Sequence, residues 1–546
     1  MQRKGCLQKK TAFFYLCRVN SEIMRFYRFL LVFLFSGAMV PLMSQQSKKV
    51  KGEDPPLRIE IPVRSDNETY RVIPCDSNGV IMFFRSVEVS GDNQMKWYFS
   101  YYDKNLTLSW TKSIIILNDQ DYRIHQLIGD TLAILFVHTG KAHPGATDFE
   151  ILRICLNKGL FILNQGKVPE NGEISAFGIS MDNAWFGINF KTDPGQIGYL
   201  RLNSGIFKTF PSGVGSQITI QWIRPDSLGD CVSAIVSRKV SKKTTEYYLV
   251  RYDSTGKIRR EVLLHTSNTG EELSHFQYMG NRHGGEMIMG SYGEETGTNN
   301  TKNRVAEELT GIFTASLTNN SLKGLSFYNF LDLKNVNSLV DEKEMMNLKK
   351  RAAKKNKALN EFSLDFSMLL HNIMQWKDHF ILISEVYSPQ YHTESFTEFD
   401  YYGRPYSNSY SVFDGYRYLN AIVTAFDQNG KLLWDNVLEM RNLVSFDLNT
   451  KVSAFFTGDD MVLCYLGEGK IGSKIIHEEK VIEKPVFASL EMLYPGDKLQ
   501  SESKGRVVPW YGKYFIAYGY QEIKNIAISG NNKRMVFYFS KIRFDK

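Results

Sequence analysis

A chain of 546 residues with 43% hydrophobic and 13% aromatic content and only 15 prolines is neither disordered nor collagen-like, and it suits two or three ordinary domains or one repeat fold. The formal charge of +8 is uneven, because residues 1–45 hold seven Lys/Arg and one Glu and leave the remainder near +2. That near-balance removes the basic footprint that nucleic-acid binding requires.

In chain order, Arg25 and Arg28 precede an apolar run over 29–40, and the sequence turns polar at 44–46. This is the layout of a secretory signal peptide, with Met24 as its natural start and 1–23 an over-extended N-terminus. The run is shorter than the ~18–20 residues of a spanning helix, so cleavage is expected and membrane attachment would require the segment to stay uncleaved. Residues 1–45 are thus set apart from a single domain over 57–546, exported to the periplasm, the outer membrane or the exterior. Beyond the leader stand Cys75, Cys155, Cys231 and Cys464, far apart and beside apolar runs. Single buried thiols are expected, and no zinc or redox spacing is present.

A short Gly/Asp/Asn turn followed by a continuous apolar strand then recurs eight times, at Asn78, Asp130, Asp182, Asp230, Asn281, Asp378, Asp459 and Gly512. The steps are 52, 52, 48, 51, 97, 81 and 53 residues. A four-stranded propeller blade takes about 40 to 50 residues. The expected fold is therefore all-β, an eight-bladed β-propeller with seven blades as the alternative. Innermost strands are expected at 70–75, 122–128, 174–179, 218–223, 273–279, 368–376, 452–457 and 506–510. The second strands are nearly all apolar because neighbouring blades cover both faces. The last repeat runs out after a third strand at 535–544, and the alternating segment 57–63 has nothing of its own to pair with. Pairing the two closes the ring, and Pro62 suits the edge position.

The two long steps are insertions. Residues 329–366 contain one inserted helix, over 341–362, with Met345, Leu348, Ala352, Leu359 and Phe362 at helical spacing. Its Lys343, Lys349, Lys350, Arg351, Lys354, Lys355 and Lys357 read as a solvated face or a surface for an anionic partner. Residues 387–418 form an aromatic loop. There Tyr401, Tyr402, Tyr406, Tyr410 and Tyr416 offer flat faces with a hydroxyl and Arg404 a fixed donor, chemistry suited to sugar rings or a protein. The competing reading packs these rings on each other to hold the loop on the ring's mouth. Both insertions are expected on one face of the ring.

The turns carry a resemblance. Phe426-Asp427-Gln428-Asn429-Gly430-Lys431-Leu432-Leu433-Trp434 resembles the blade motif of the quinoprotein-type (PQQ-like repeat) β-propeller superfamily, in which an Asp, a turn Gly and a following Trp dock neighbouring blades. Tyr252-Asp253-Ser254-Thr255-Gly256-Lys257 keeps the first half, with Arg260 where the Trp is expected, and Asp103 with Trp110 keeps the ends, with Leu106 in place of Gly. The superfamily includes quinone-dependent dehydrogenases, which hold their cofactor with a vicinal Cys pair and an acidic calcium site, and non-catalytic envelope scaffolds. No two Cys are adjacent here, so the resemblance implies a non-catalytic member with no cofactor.

His138 with His143 and His275 with His283 lack a third ligand at metal spacing, so no metal site is expected. The functional expectation is a binding or scaffold module for a protein or glycan partner. Its rival is a glycan-active enzyme whose acids converge in the central funnel.

Overall fold

The computed structural model describes residues 57–89, 94–117, 119–138, 148–180, 182–213, 217–241, 244–267, 271–280, 285–294, 309–318, 321–337, 367–529 and 533–544, with positions 346, 350 and 354. The signal segment expected over 1–45 lies outside them, as do His143, His283 and most of 341–362; Met346, Lys350 and Lys354 are helical. Pro56–Lys546 forms one compact unit.

Eight antiparallel sheets follow one another along this unit. The first is typical: Arg71–Cys75, Gly79–Val89, Gln94–Tyr102 and Leu108–Leu117 pair in sequence order. The sixth carries its innermost strand in two pieces, Ser367–Leu370 and Met374–Trp376. The eighth takes its outer strand from the other end of the chain: Arg58–Pro62 runs antiparallel to Lys533–Arg543, with Arg58 opposite Ser540 and Pro62 opposite Val536.

Eight apolar clusters explain why the sheets form a ring. Each joins one sheet to the next, and the eighth joins the last sheet back to the first. Along Gly79–Val89, Ile81 and Phe83 point into the cluster shared with the second sheet, while Val80 and Met82 point into the one shared with the eighth. A strand buried on both faces has no polar side to present, hence the unbroken apolar runs. Innermost strands of neighbouring sheets touch from the second sheet to the sixth and between the seventh and eighth. Cyclic closure by these interfaces makes the fold a β-propeller.

The repeated turn clasps its neighbours in both directions. Asp427 Oδ1 accepts from Asn429 N at 2.8 Å and Lys431 N at 2.9 Å, and Asp253 and Asp103 repeat the pattern. Gly430 has φ +83°, and a Cβ there would lie 2.7 Å from Thr314 Oγ1 of the preceding sheet, so the position needs glycine twice over. Tryptophans reach the other way. Trp110, Trp185 and Trp510 donate their indole N–H to backbone carbonyls of the following sheet, at 2.9 Å to Leu156, 3.0 Å to Gly229 and 2.9 Å to Gly79. The last of these spans the closure.

Cys75, Cys155, Cys231 and Cys464 are free thiols, and burial pushes those of Cys75 and Cys464 up to about 12.

Candidate functional site

Residues 387–418 depart from the expected loop. They are the middle of a β-hairpin whose strands, His379–Phe399 and Pro405–Phe426, run 21 and 22 residues. The next strand, Leu432–Ser445, leaves the pairing at Tyr416 opposite Ser445, so residues 389–415 continue as a two-stranded arm. At its tip Asp400 Oδ1 accepts from Tyr402 N at 2.9 Å and Arg404 N at 2.8 Å, with Gly403 at φ +74°. This is the blade turn again. The spacing Asp400-x-x-Gly403 between alternating strands was the signal in the sequence for a hairpin here.

The six predicted residues are strung along the arm and do not converge. Tyr401 and Tyr402 stand at the tip, 97% and 79% exposed, with the Arg404 guanidinium 5.9 Å over the Tyr402 ring. Tyr406 and Tyr410 lie on one face, where their hydroxyls donate to Glu398 and Glu394. Tyr416 sits at the base, against Tyr387 and Phe413. At about 3.3 Å per residue, Tyr406 and Tyr416 are ~30 Å apart, too far to enclose one small ligand. The packing reading holds for Tyr416, while the exposure of Tyr401 and Tyr402 is incompatible with a tip held down on the ring.

The two faces of the arm differ chemically. On the tyrosine face, His392 Nδ1 is 2.6 Å from Asp414 and its Nε2 3.3 Å from Glu394, and these hydrogen bonds raise the imidazole above its usual range. The other face pairs Thr393, Ser395 and Thr397 with Ser411, Ser409 and Ser407, a flat patch of six hydroxyls.

A polar cluster lies where this hairpin leaves the ring. Glu385, fully buried, accepts from Lys451 N at 2.8 Å, Val452 N at 2.7 Å and His371 Nε2 at 2.7 Å. The Lys451 ammonium is buried, 2.9 Å from Ser445 Oγ and 5.5 Å over the Tyr418 ring, and desolvation followed by Arg506 lowers it to about 8. Arg506, on an innermost strand of the eighth sheet, donates to Thr450 O at 3.0 Å and lies within electrostatic reach of Tyr518, Tyr122 and Glu385. Tyr122 belongs to the second sheet, and Arg71 of the first lies over its ring at 4.6 Å. Arg71, Tyr122 and Arg506 stand on the innermost strands of the first, second and eighth sheets, which surround the central channel. Tyr122 and His125 share a 2.7 Å hydrogen bond.

Burial, then Arg506 and Arg71, hold His125 down at about 4. A depressed imidazole takes up protons less readily folded than unfolded, so stability present above the unfolded value near 6.5 is lost as pH falls towards 4. We expect His125→Asn to narrow the difference between urea midpoints at pH 7 and pH 4.5, by ~2 kcal/mol of stability. An unchanged difference would show that His125 does not carry the acid loss.

Two further features bear on chemistry. A cavity of about 380 Å³ is lined by Gln221, Ser274, His275, Gln277 and Leu369 from the inner strands of the fourth, fifth and sixth sheets. Glycoside hydrolysis needs two carboxyl groups roughly 5–10 Å apart with one free to attack or activate water, whereas Glu385 is committed to two amides and an imidazole. Among the described residues no group of three His, Cys, Asp or Glu is arranged to hold a metal ion. His138 instead pairs with Asp119 at 3.0 Å, and His275 with Ser291 Oγ at 2.8 Å.

No protein-family model matches the chain, and no curated protein matches it. Among solved structures it is similar to the polysaccharide lyase Uly1, at 11% identity over 77% of this chain and 89% of that one, with a TM-score of 0.38. It is also similar to a prolyl endopeptidase, at 10% identity over 82% and 54% with a TM-score of 0.33. A third is the β-propeller domain of the Trilobed protease from Pyrococcus furiosus, at 8% identity over 78% and 98% with a TM-score of 0.32. At these identities and scores the likenesses bear on neither activity nor ligand.

Proposed function

We propose that this protein is an exported cell-envelope β-propeller of the quinoprotein-type repeat class, acting as a non-catalytic binding or scaffold module for a protein or glycan partner. The arm is the observation that carries this reading. A two-stranded ribbon gains little stability alone in water, and this one holds Tyr401, Tyr402 and Phe399 in solvent with both strand edges unpaired along 389–415. Exposed aromatic groups beside a fixed guanidinium, on a projection, are what an interaction surface presents. The shared Asp turns and the inter-sheet tryptophans support the repeat class, and the leader over 24–46 supports export. The committed carboxylate of Glu385 favours binding over catalysis.

The test is a pull-down from envelope extract with the full chain and with a variant whose residues 390–414 are replaced by a two-residue Asn-Gly turn. The expected result is loss of specific partners with an unchanged melting temperature. Equal recovery from both proteins would remove the arm as the binding surface.

A further inference from the structure

The channel wall made by the first, second and eighth sheets carries donors that the protein itself does not use. Among the described residues, the Arg71 guanidinium makes no hydrogen bond and no ion pair; it lies flat over Tyr122 at 4.6 Å, which fixes its orientation and leaves the N–H edges open. Arg506 donates to Thr450 O and is hydrogen-bonded to Tyr518, and no carboxylate lies within ion-pair distance of it among the described residues. Both cations act on the same His125 and Tyr122. Glu385 faces Arg506 but is held by two backbone amides and His371, and the Asp447 carboxylate that faces Lys451 is on an exposed residue. Two cations that act on the same ring pair in a partly desolvated channel attract an anion more strongly than either would in open water.

We propose that this part of the channel is an oxyanion site, in which Arg71 and Arg506 hold a carboxylate, sulfate or phosphate group of a ligand beside the Tyr122 and His125 pair. Guanidinium forks match the planar or tetrahedral oxygens of such groups and bind them with charge-assisted hydrogen bonds. A neutral His125 adds a ring nitrogen and no further charge to this wall. The site extends beyond the arm, since it needs no macromolecular partner and takes its residues from the first, second and eighth sheets, whereas 389–415 belong to the sixth.

The experiment is isothermal titration of the full chain with sodium acetate, sulfate and phosphate at constant ionic strength, with chloride as the blank. The three salts separate a carboxylate ligand from the tetrahedral anions. Saturable binding of at least one is expected, weakened about tenfold or more in Arg71→Gln and in Arg506→Gln. It should be unchanged in Arg123→Gln, an exposed cation on the strand of His125, and in the protein with the shortened arm. The Arg71 side chain is exposed, so its variant is expected to fold even if the Arg506 variant does not. Binding that never saturates with any of the three salts, or an Arg71→Gln protein that titrates like the wild type, would overturn the site without touching the arm's role.

Discussion

Placing aspartates at Ile59 and Ile61 is expected to unfold the ring at temperatures where the native protein is intact. The two side chains pack against the cluster that contains Phe537, Phe539, Val72 and Tyr518, and Ile59 and Ile61 lie opposite Phe539 and Phe537 across the closing strand pair. Losing two partly buried isoleucines removes roughly 2–4 kcal/mol, and two carboxylates at the same positions add a desolvation penalty of similar size. The strand brings more than apolar area: Arg58, buried over the Tyr538 ring at 4.1 Å, donates to Gln521 at 2.7 Å, and Glu60 meets Arg534 at 3.2 Å. Together the loss approaches ~5–10 kcal/mol, comparable with the whole stability of a typical domain. Urea unfolding followed by tryptophan fluorescence measures it, with Val87→Asp, at a position 83% exposed, as the matched control. A double variant as stable as that control would mean that strand pairing between the chain's two ends does not hold the ring shut.

Replacing Glu385 by Ala should cost the next most, about 3–5 kcal/mol, the range for breaking a buried charged network on one side. The variant leaves the amides of Lys451 and Val452 and the imidazole of His371 without their acceptor, and strips the counter-charge from beside Lys451 and Arg506. Because those amides begin the seventh sheet while Glu385 belongs to the sixth, the damage falls on an inter-sheet joint. Glu385→Gln keeps one acceptor and the volume, and should recover part of the loss. If the alanine and glutamine variants unfold at the same urea midpoint as the wild type, the carboxylate is not a structural joint and its place beside Arg506 needs another explanation.

How much was legible follows from what each feature depends on. The Asp-x-x-Gly turns at Asp253 and Asp427, the apolar second strands and the alternating segment before the first repeat each record a local demand, a positive φ or a face to be buried, so spacing alone brought out the repeats and the closing strand. The same logic applied at Asp400-Tyr401-Tyr402-Gly403 would have shown a hairpin, but the density of aromatic residues there suggested an irregular loop, either binding or packed on the ring. Tyr416 obeys the packing reading and Tyr402 does not, because the third strand parts from the hairpin between them.

By itself the sequence determined the architecture of strands and turns and the pairing of 57–63 with 535–544, since backbone torsion and the period of burial are written in neighbouring residues. Only the tertiary structure decided that Arg71, Tyr122, His125 and Arg506 face one channel and that Glu385 holds the start of the next sheet. These residues are up to 435 positions apart, and no spacing relates them. Their meeting is set by the curvature that eight inter-sheet interfaces impose on the ring.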